Sequence, residues 1–456
     1  MRALPRSKFL NACAMAAATI LLALVPASTA FAASPEKVLY TFCQKTDCDD
    51  GAVPIAGLVM NQSGILFGTT QAGGKSKLYR NGGVVFRLDL NAHTYTVIHN
   101  FCAKANCADG EIPTSELIVD TDGNLYGTTS EGGNSDVGGC GVAYKLTHSD
   151  KGWTLSVMYT FHCGLDGGRP YAGLSYKGQK AGLPWDKSSP LFGVTSTDGE
   201  YGKGTLFEIY SNFTGWSYKV LHHFKTSSPG ILDNPLLVDS SGNLYGLTGG
   251  DTDAGTLYKA PVGDYQHVKI LHAFCAKANC SDGAIGTGRP TMDAAGNIFG
   301  TTALGGSGSG LVCSQTGFNF PGCGVAFEYS SAGTYSVIHS FCSKRNCADG
   351  LMPFGGLNVD ASGTLYGSTN DEFYDFYLGH GEIFSLSYAQ NTWSETVLYA
   401  FCGDGLCGDG EGPGGGLLMD GSGNLFGTTV SGGNTSGVAF EIVHRAPRRF
   451  QGDFDH

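Results

Sequence analysis

Charge is in short supply in this chain. Only 15% of its 456 residues are Asp, Glu, Lys or Arg, and the basic ones are the scarcer, 28 against 40, for a formal net charge of -12. A surface this acidic repels phosphate backbones and anionic lipid, which argues against nucleic acid or a membrane surface as partner of the protein's body. Long apolar runs are missing too. Beyond the N-terminus no stretch reaches the roughly 20 apolar residues of a membrane helix, so no transmembrane segment is expected. The G-x-S-x-G, H-E-x-x-H and P-loop signatures are also absent. No catalytic residue, metal ligand or cofactor is assigned.

The N-terminus differs from the rest. Arg2, Arg6 and Lys8 precede the apolar run from Ala14 to Val25 and the sequence Ala30-Phe31-Ala32. A positive segment, a short hydrophobic segment and an A-x-A site predict a signal peptide over residues 1–32. Cys13 precedes the hydrophobic run instead of following it, so lipidation is not expected. At the other end Arg445, Arg448 and Arg449 lie in a short stretch, 445–456, expected to be a disordered basic tail. The protein between them is expected to be exported, at the cell surface, in the periplasm or secreted, and to be monomeric.

Export sets the reading of cysteine. Without Cys13 there remain 14, an even number suited to an oxidising compartment. Five pairs share the C-x4-C spacing: Cys43/Cys48, Cys102/Cys107, Cys275/Cys280, Cys342/Cys347 and Cys402/Cys407. Zinc sites favour C-x2-C with a second ligand pair nearby, and redox centres C-x-x-C at a helix start. Neither context is present, so each pair is read as a disulfide closing a small loop, worth about 2 kcal/mol. Cys313/Cys323 and Cys140/Cys163 are expected to complete the set.

The chain is richest in glycine, with 70 residues, and glycine punctuates a repeat. The phrase ILFGTT at 65–70 recurs as NLYGTT, PLFGVT, NLYGLT, NIFGTT, TLYGST and NLFGTT, with glycines at Gly68, Gly127, Gly193, Gly246, Gly300, Gly367 and Gly427. Around the first copy, GLVM (57–60), ILFGTT, VVFRL (84–88) and YTVIHNF (95–101) alternate as strands do, with Asn, Asp and Gly between them. Four antiparallel strands per unit make a propeller blade. The seventh unit stops after GVAFEI (437–442), while KVLYTF (37–42) stands alone before the first. The expected fold is therefore all-β: a seven-bladed β-propeller over residues 33–444, with the N-terminal strand closing the ring and removing its open edges.

LIVDTDGNLYGTTSEGG with GVAYKL, and GLLMDGSGNLFGTTVSGGNTSGVAFEI, resemble the unit of the bacterial GloVer tandem-repeat proteins. The resemblance covers nearly the whole mature chain. It implies a repeat fold and brings no catalytic residues. The third unit departs from it, with YKGQKAGLPWDKSSP (176–190) in place of the short D-x-x-G-N turn.

Repetition itself explains several chemically suggestive residues. His99, His222, His272 and His339 share a slot that holds Tyr40, Tyr159 and Tyr399 in other units. This reads as half-buried packing, not a metal set. Asp120, Asp239, Asp360 and Asp420 suit Asx caps of hairpin turns better than calcium ligation. Copper oxidases of the galactose-oxidase type, on a kelch-like scaffold, need two His and two Tyr at one mouth, which a repeated slot does not provide. Six of seven unit junctions end in Asp-Gly, at Asp50, Asp109, Asp166, Asp282, Asp349 and Asp409; the exception is KTSSPG (225–230). Such an Asp either caps its own turn or belongs to a carboxylate rim for polyhydroxylated ligands. Strand order places these loops on one face with the glycine loops, so the rim, with Phe318 and Phe320 of the insertion 311–323, is the expected ligand site. The expected function is recognition or scaffolding toward an extracellular glycan or protein. The alternative is a secreted carbohydrate-active enzyme.

Overall fold

The structure, a computed structural model, describes residues 36–444 apart from 77–81, 134–137, 180–182, 226–233, 251–252, 309–312, 314–319, 371–379, 404 and 434–435. The chain divides into Met1–Ala33 and Ser34–His456, and the fold below belongs to the second unit. The expected signal peptide and basic tail lie outside the described residues. Among the described residues the helical pieces are three-residue turns in four stapled loops; the regular structure is otherwise strand, antiparallel except for one pairing.

Strand pairing gives four separate sheets of four strands, one of five and one of eight. The expectation of seven separate blades is corrected on this point: five sheets stand alone, and the fifth and sixth repeat units share the sixth. Their inner strands, Ala284–Met292 and Pro353–Val359, run long and meet in parallel at Arg289 and Gly356. Glycine permits the merger. A Cβ on Gly288 would lie 2.2 Å from the backbone nitrogen of Gly356, closer than any side chain allows.

The repeated phrase follows from packing. Its glycine receives an aromatic ring from the next strand. A Cβ added at Gly68 would sit 2.6 Å from Phe86, at Gly193 2.4 Å from Phe207 and at Gly427 2.5 Å from Phe440. Those rings are 0% exposed and form the centre of each blade core. The two threonines after the glycine have separate duties. The Thr69 hydroxyl donates to the Ser115 carbonyl of the following unit, and that of Thr428 to the Ala56 carbonyl. Thr70 and Thr129 instead accept the N–H of Val84 and Val142 within their own blades.

Ring closure occurs where the orphan strand predicts it. Glu36–Thr41 pairs antiparallel with Val438–Ile442, with Val38 opposite Phe440 and Thr41 opposite Val438. The N–H of Phe42 then donates to the Gly437 carbonyl at 3.0 Å, and the buried Phe42 ring meets Phe86 of the first unit edge-on at 5.1 Å.

Candidate functional site

The site expected from sequence was the face bearing the stapled loops, and it is built at the junctions between units. All seven expected disulfides are present: Cys43–Cys48, Cys102–Cys107, Cys275–Cys280, Cys342–Cys347, Cys402–Cys407, Cys140–Cys163 and Cys313–Cys323. In four loops the residue between the cysteines at the tip, Asp47, Asn106, Asn279 or Asn346, holds a left-handed φ near 55°. Asn and Asp tolerate that conformation better than other side chains. In four of the five C-x4-C staples the second half-cystine accepts an N–H from the neighbouring glycine loop. Gly74 donates to Cys48, Gly133 to Cys107 and Gly306 to Cys280, each at 2.9 Å, and Gly433 to Cys407 at 2.7 Å. Stapled and glycine loops thus share a face and are joined there.

The fifth staple, Cys342–Cys347, has the same loop geometry. Cys347 is 8% exposed and packs, with Cys342, into the apolar cluster that holds Cys313, Cys323, Leu351 and Met352. Cys280 belongs to the same cluster and Cys107 is 5% exposed, while Ser343, Lys344, Arg345 and Asn346 are exposed at the loop tip, as their counterparts are in the other loops. The Cys347 carbonyl accepts the Gly350 N–H at 2.8 Å, and residues 371–379, which follow the sixth unit's repeated phrase, lie outside the described residues.

The junction aspartates lie inside this frame. Asp50, Asp109, Asp282 and Asp349 are 0% exposed. Asp109 accepts the N–H groups of Ala103 and Lys104 at 3.2 and 3.1 Å, and Asp282 those of Ala276 and Lys277 at 3.1 Å. Asp166 and Asp409 are half-buried and accept the N–H of His162 and of Cys402. This geometry turns the carboxylates into the loops; they do not form an open rim. Phe320 is half-buried against the small core around Cys313 and Cys323, and Phe318 lies outside the described residues.

Sequence reasoning treated the His/Tyr slot and the Asp slot separately, but they are partners. Tyr40 donates its hydroxyl to Asp50 at 2.6 Å, Tyr159 to Asp166 at 2.8 Å and Tyr399 to Asp409 at 2.6 Å. The imidazoles of His99, His272 and His339 lie 3.3, 3.1 and 3.3 Å from Asp109, Asp282 and Asp349. In the one unit without Asp-Gly, His222 turns to the Gln266 carbonyl at 2.9 Å instead. Three junctions add a stacked ring from the next unit: Tyr95 on Tyr40 at 3.7 Å, Tyr218 on Tyr159 at 3.9 Å and Tyr335 on His272 at 3.6 Å.

Electrostatics agree with a structural role. Burial alone would raise the Asp109 carboxyl, but the His99 imidazole and the loop N–H groups hold it below the usual range. Asp349 is likewise held well below the usual carboxylate range by His339, Ser343 and the loop N–H groups, against its burial. Desolvation pushes the His272 imidazole down despite its Asp282 partner.

The opposite face carries the D-x-x-G-N turns. Oδ1 of Asp120 accepts the N–H of Asp122 and Asn124, and Oδ2 accepts the Asn124 amide and the Tyr126 hydroxyl. Asp239 and Asp420 repeat the backbone and amide contacts, and Asp360 repeats the backbone ones. Donors surround these oxygens, the wrong polarity for a cation cage. The third unit's long turn replaces this cap by docking on the second: Trp185 exchanges backbone hydrogen bonds with Val119 and Thr121, and Lys187 pairs with Asp122. Near the same face a pocket of about 420 Å³ is lined by Met60, Asn358, Val359, Leu418 and Met419. On the stapled face His380, Glu411, Cys402 and Cys407 converge, but the two sulfurs are bonded to each other, leaving a His380–Glu411 contact of 2.6 Å.

Among the described residues no helix is long and apolar enough to cross a membrane. No curated protein matches the sequence. Solved structures of similar course include a GH74 xyloglucanase from Xanthomonas campestris, 12% identical, covering 87% of this chain and 52% of that one at a TM-score of 0.47. A GH74 enzyme from Niastella koreensis is 16% identical over 76% of this chain and 45% of its own, at 0.44. A gluconolactonase from Xanthomonas campestris is 14% identical over 55% and 68%, at 0.33. This chain thus spans about half the length of the two GH74 enzymes, and scores this low carry no argument about it. Over residues 27–184 the sequence matches the model of the Gloeobacter/Verrucomicrobia repeat.

Proposed function

We propose that the protein is an exported recognition module that presents its stapled loops to an extracellular glycan or protein, on a propeller in which the two halves of the eight-stranded sheet serve as separate blades, seven in all. The observation that carries the reading is the repeated anchor from glycine loop to staple, which fixes the loop backbone while its outward positions vary. Seven disulfides and the lack of a membrane-spanning helix among the described residues suit an extracellular or periplasmic protein. Rigid frames with variable loops are the usual arrangement for recognition, and a fixed loop loses less entropy on binding.

Ligand contacts then belong to the exposed residues around the buried carboxylates. Lys45, Lys104, Lys277 and Lys344 occupy one slot of four stapled loops and are exposed. A glycan and protein binding screen beside a panel of hydrolase and oxidase substrates tests the reading. Saturable binding that falls when these lysines become alanine supports it. Turnover lost with a single carboxylate would establish the enzyme alternative instead.

A further inference from the structure

The seven inner strands align on the residue before Leu58, Leu117, Leu174, Leu236, Pro290, Leu357 and Leu417, which places Gly57, Glu116, Gly173, Pro235, Arg289, Gly356 and Gly416 in one innermost slot. Four glycines and a proline leave this level of the hub almost bare. The remaining two residues carry opposite charges, three repeat units apart. They meet: Nη2 of Arg289 lies 3.1 Å from Oε2 of Glu116. The backbone crowds around them. A Cβ on Gly57 would stand 2.4 Å from Oε1 of Glu116 and 2.7 Å from the Gly416 carbonyl, and one on Gly416 would stand 3.1 Å from the Gly355 carbonyl.

The pair is incomplete as a hydrogen-bonding unit. Nε and Nη2 of Arg289 are buried, and neither has a hydrogen-bond acceptor; the Glu116 contact supplies charge without alignment. Solvent reaches the pair, whose side chains are 26% and 21% exposed. Buried donors without acceptors are costly, most of all on a charged group.

We propose that the hub binds a small carboxylate, which displaces Glu116 and seats its two oxygens on the Nε–Nη2 edge of Arg289. That edge is the fork that takes a carboxylate through two parallel hydrogen bonds. Glu116 is the internal stand-in, and its charge opposes the incoming anion.

The sign of that opposition gives the test. Titration calorimetry on the exported chain uses acetate, glucuronate and inorganic sulfate as probes. Wild type should bind acetate weakly. Glu116→Gln should bind it on the order of tenfold tighter, because a like charge a few ångströms away is removed. Arg289→Gln should lose binding. Glucuronate should follow acetate. Acetate binding unchanged by Arg289→Gln overturns the proposal, as does the absence of binding to both wild type and Glu116→Gln. Sulfate bound more tightly than acetate overturns the carboxylate assignment. Should Arg289→Gln fail to fold, Glu116→Gln decides alone: acetate affinity equal to or below wild type rejects the site. The result is separable from that for the stapled face, since the two sites share no residue.

Discussion

Replacing Asp109 by alanine removes the acceptor for two loop N–H groups and the partner of His99. Hydrogen bonds to a charged group contribute about 1.5–3 kcal/mol each, so losing both would cost about 3–6 kcal/mol if the donors stayed dry. They do not stay fully dry: Ala103 and Lys104 are exposed, and water can take up part of the loss. We expect a destabilisation of about 2–4 kcal/mol, against about half that for Asp109→Asn, which keeps one acceptor oxygen. Urea unfolding followed by circular dichroism measures the difference. The pH dependence supplies a second check. Because the folded carboxyl is held below its unfolded value, its stabilisation is present above the ordinary carboxylate range and is lost as pH falls through the folded pKa. The gap between wild type and Asp109→Ala should therefore close in acid. An Asp109→Ala protein as stable as wild type at neutral pH would refute the capping role and return this residue to the ligand surface.

Burial, then the nearby Asp409, raises the Glu36 carboxyl to about 7. A carboxyl raised on folding loses stability as pH climbs from the ordinary glutamate range toward that value, here by about 1–3 kcal/mol after allowance for solvent screening. Glu36→Gln should abolish that slope in denaturant titrations across this range; an unchanged slope would be contrary. Gly300→Ala puts a Cβ 2.6 Å from the Phe327 ring, and thermal unfolding should report a loss of about 1–3 kcal/mol. Phe42→Ala empties a fully buried position at the ring closure and should cost about 3–5 kcal/mol in the same assay. Thiol titration of the denatured, unreduced mature protein should find no free thiol, and a count clearly above zero contradicts the pairing.

Read alone, the sequence specifies the elements of this protein, because its repeat is enforced residue by residue. Gly68 and its equivalents must be glycine to admit a ring, Asn124 and Asn424 must follow their aspartates to close the turn, and the unpaired KVLYTF needed a partner that GVAFEI lacked. Disulfide pairing was legible for the same reason, since short spacing and matching strand ends leave few alternatives. What lies between units came from the tertiary fold. Period and spacing do not say that a His/Tyr slot meets an Asp ten residues later and a tyrosine from the next unit. Nor do they show which way a carboxylate turns, so Asp50 and Asp109 could be read as a rim although both are buried caps. The burial of the half-cystines Cys107, Cys280 and Cys347 is likewise a matter of packing, not of spacing. The joining of the fifth and sixth units depended on the close approach of Gly288 and Gly356, and the hub pair on Glu116 and Arg289 reaching one point from strands far apart in sequence. Local pattern fixes which face a residue occupies; only closing the ring fixes what stands opposite it.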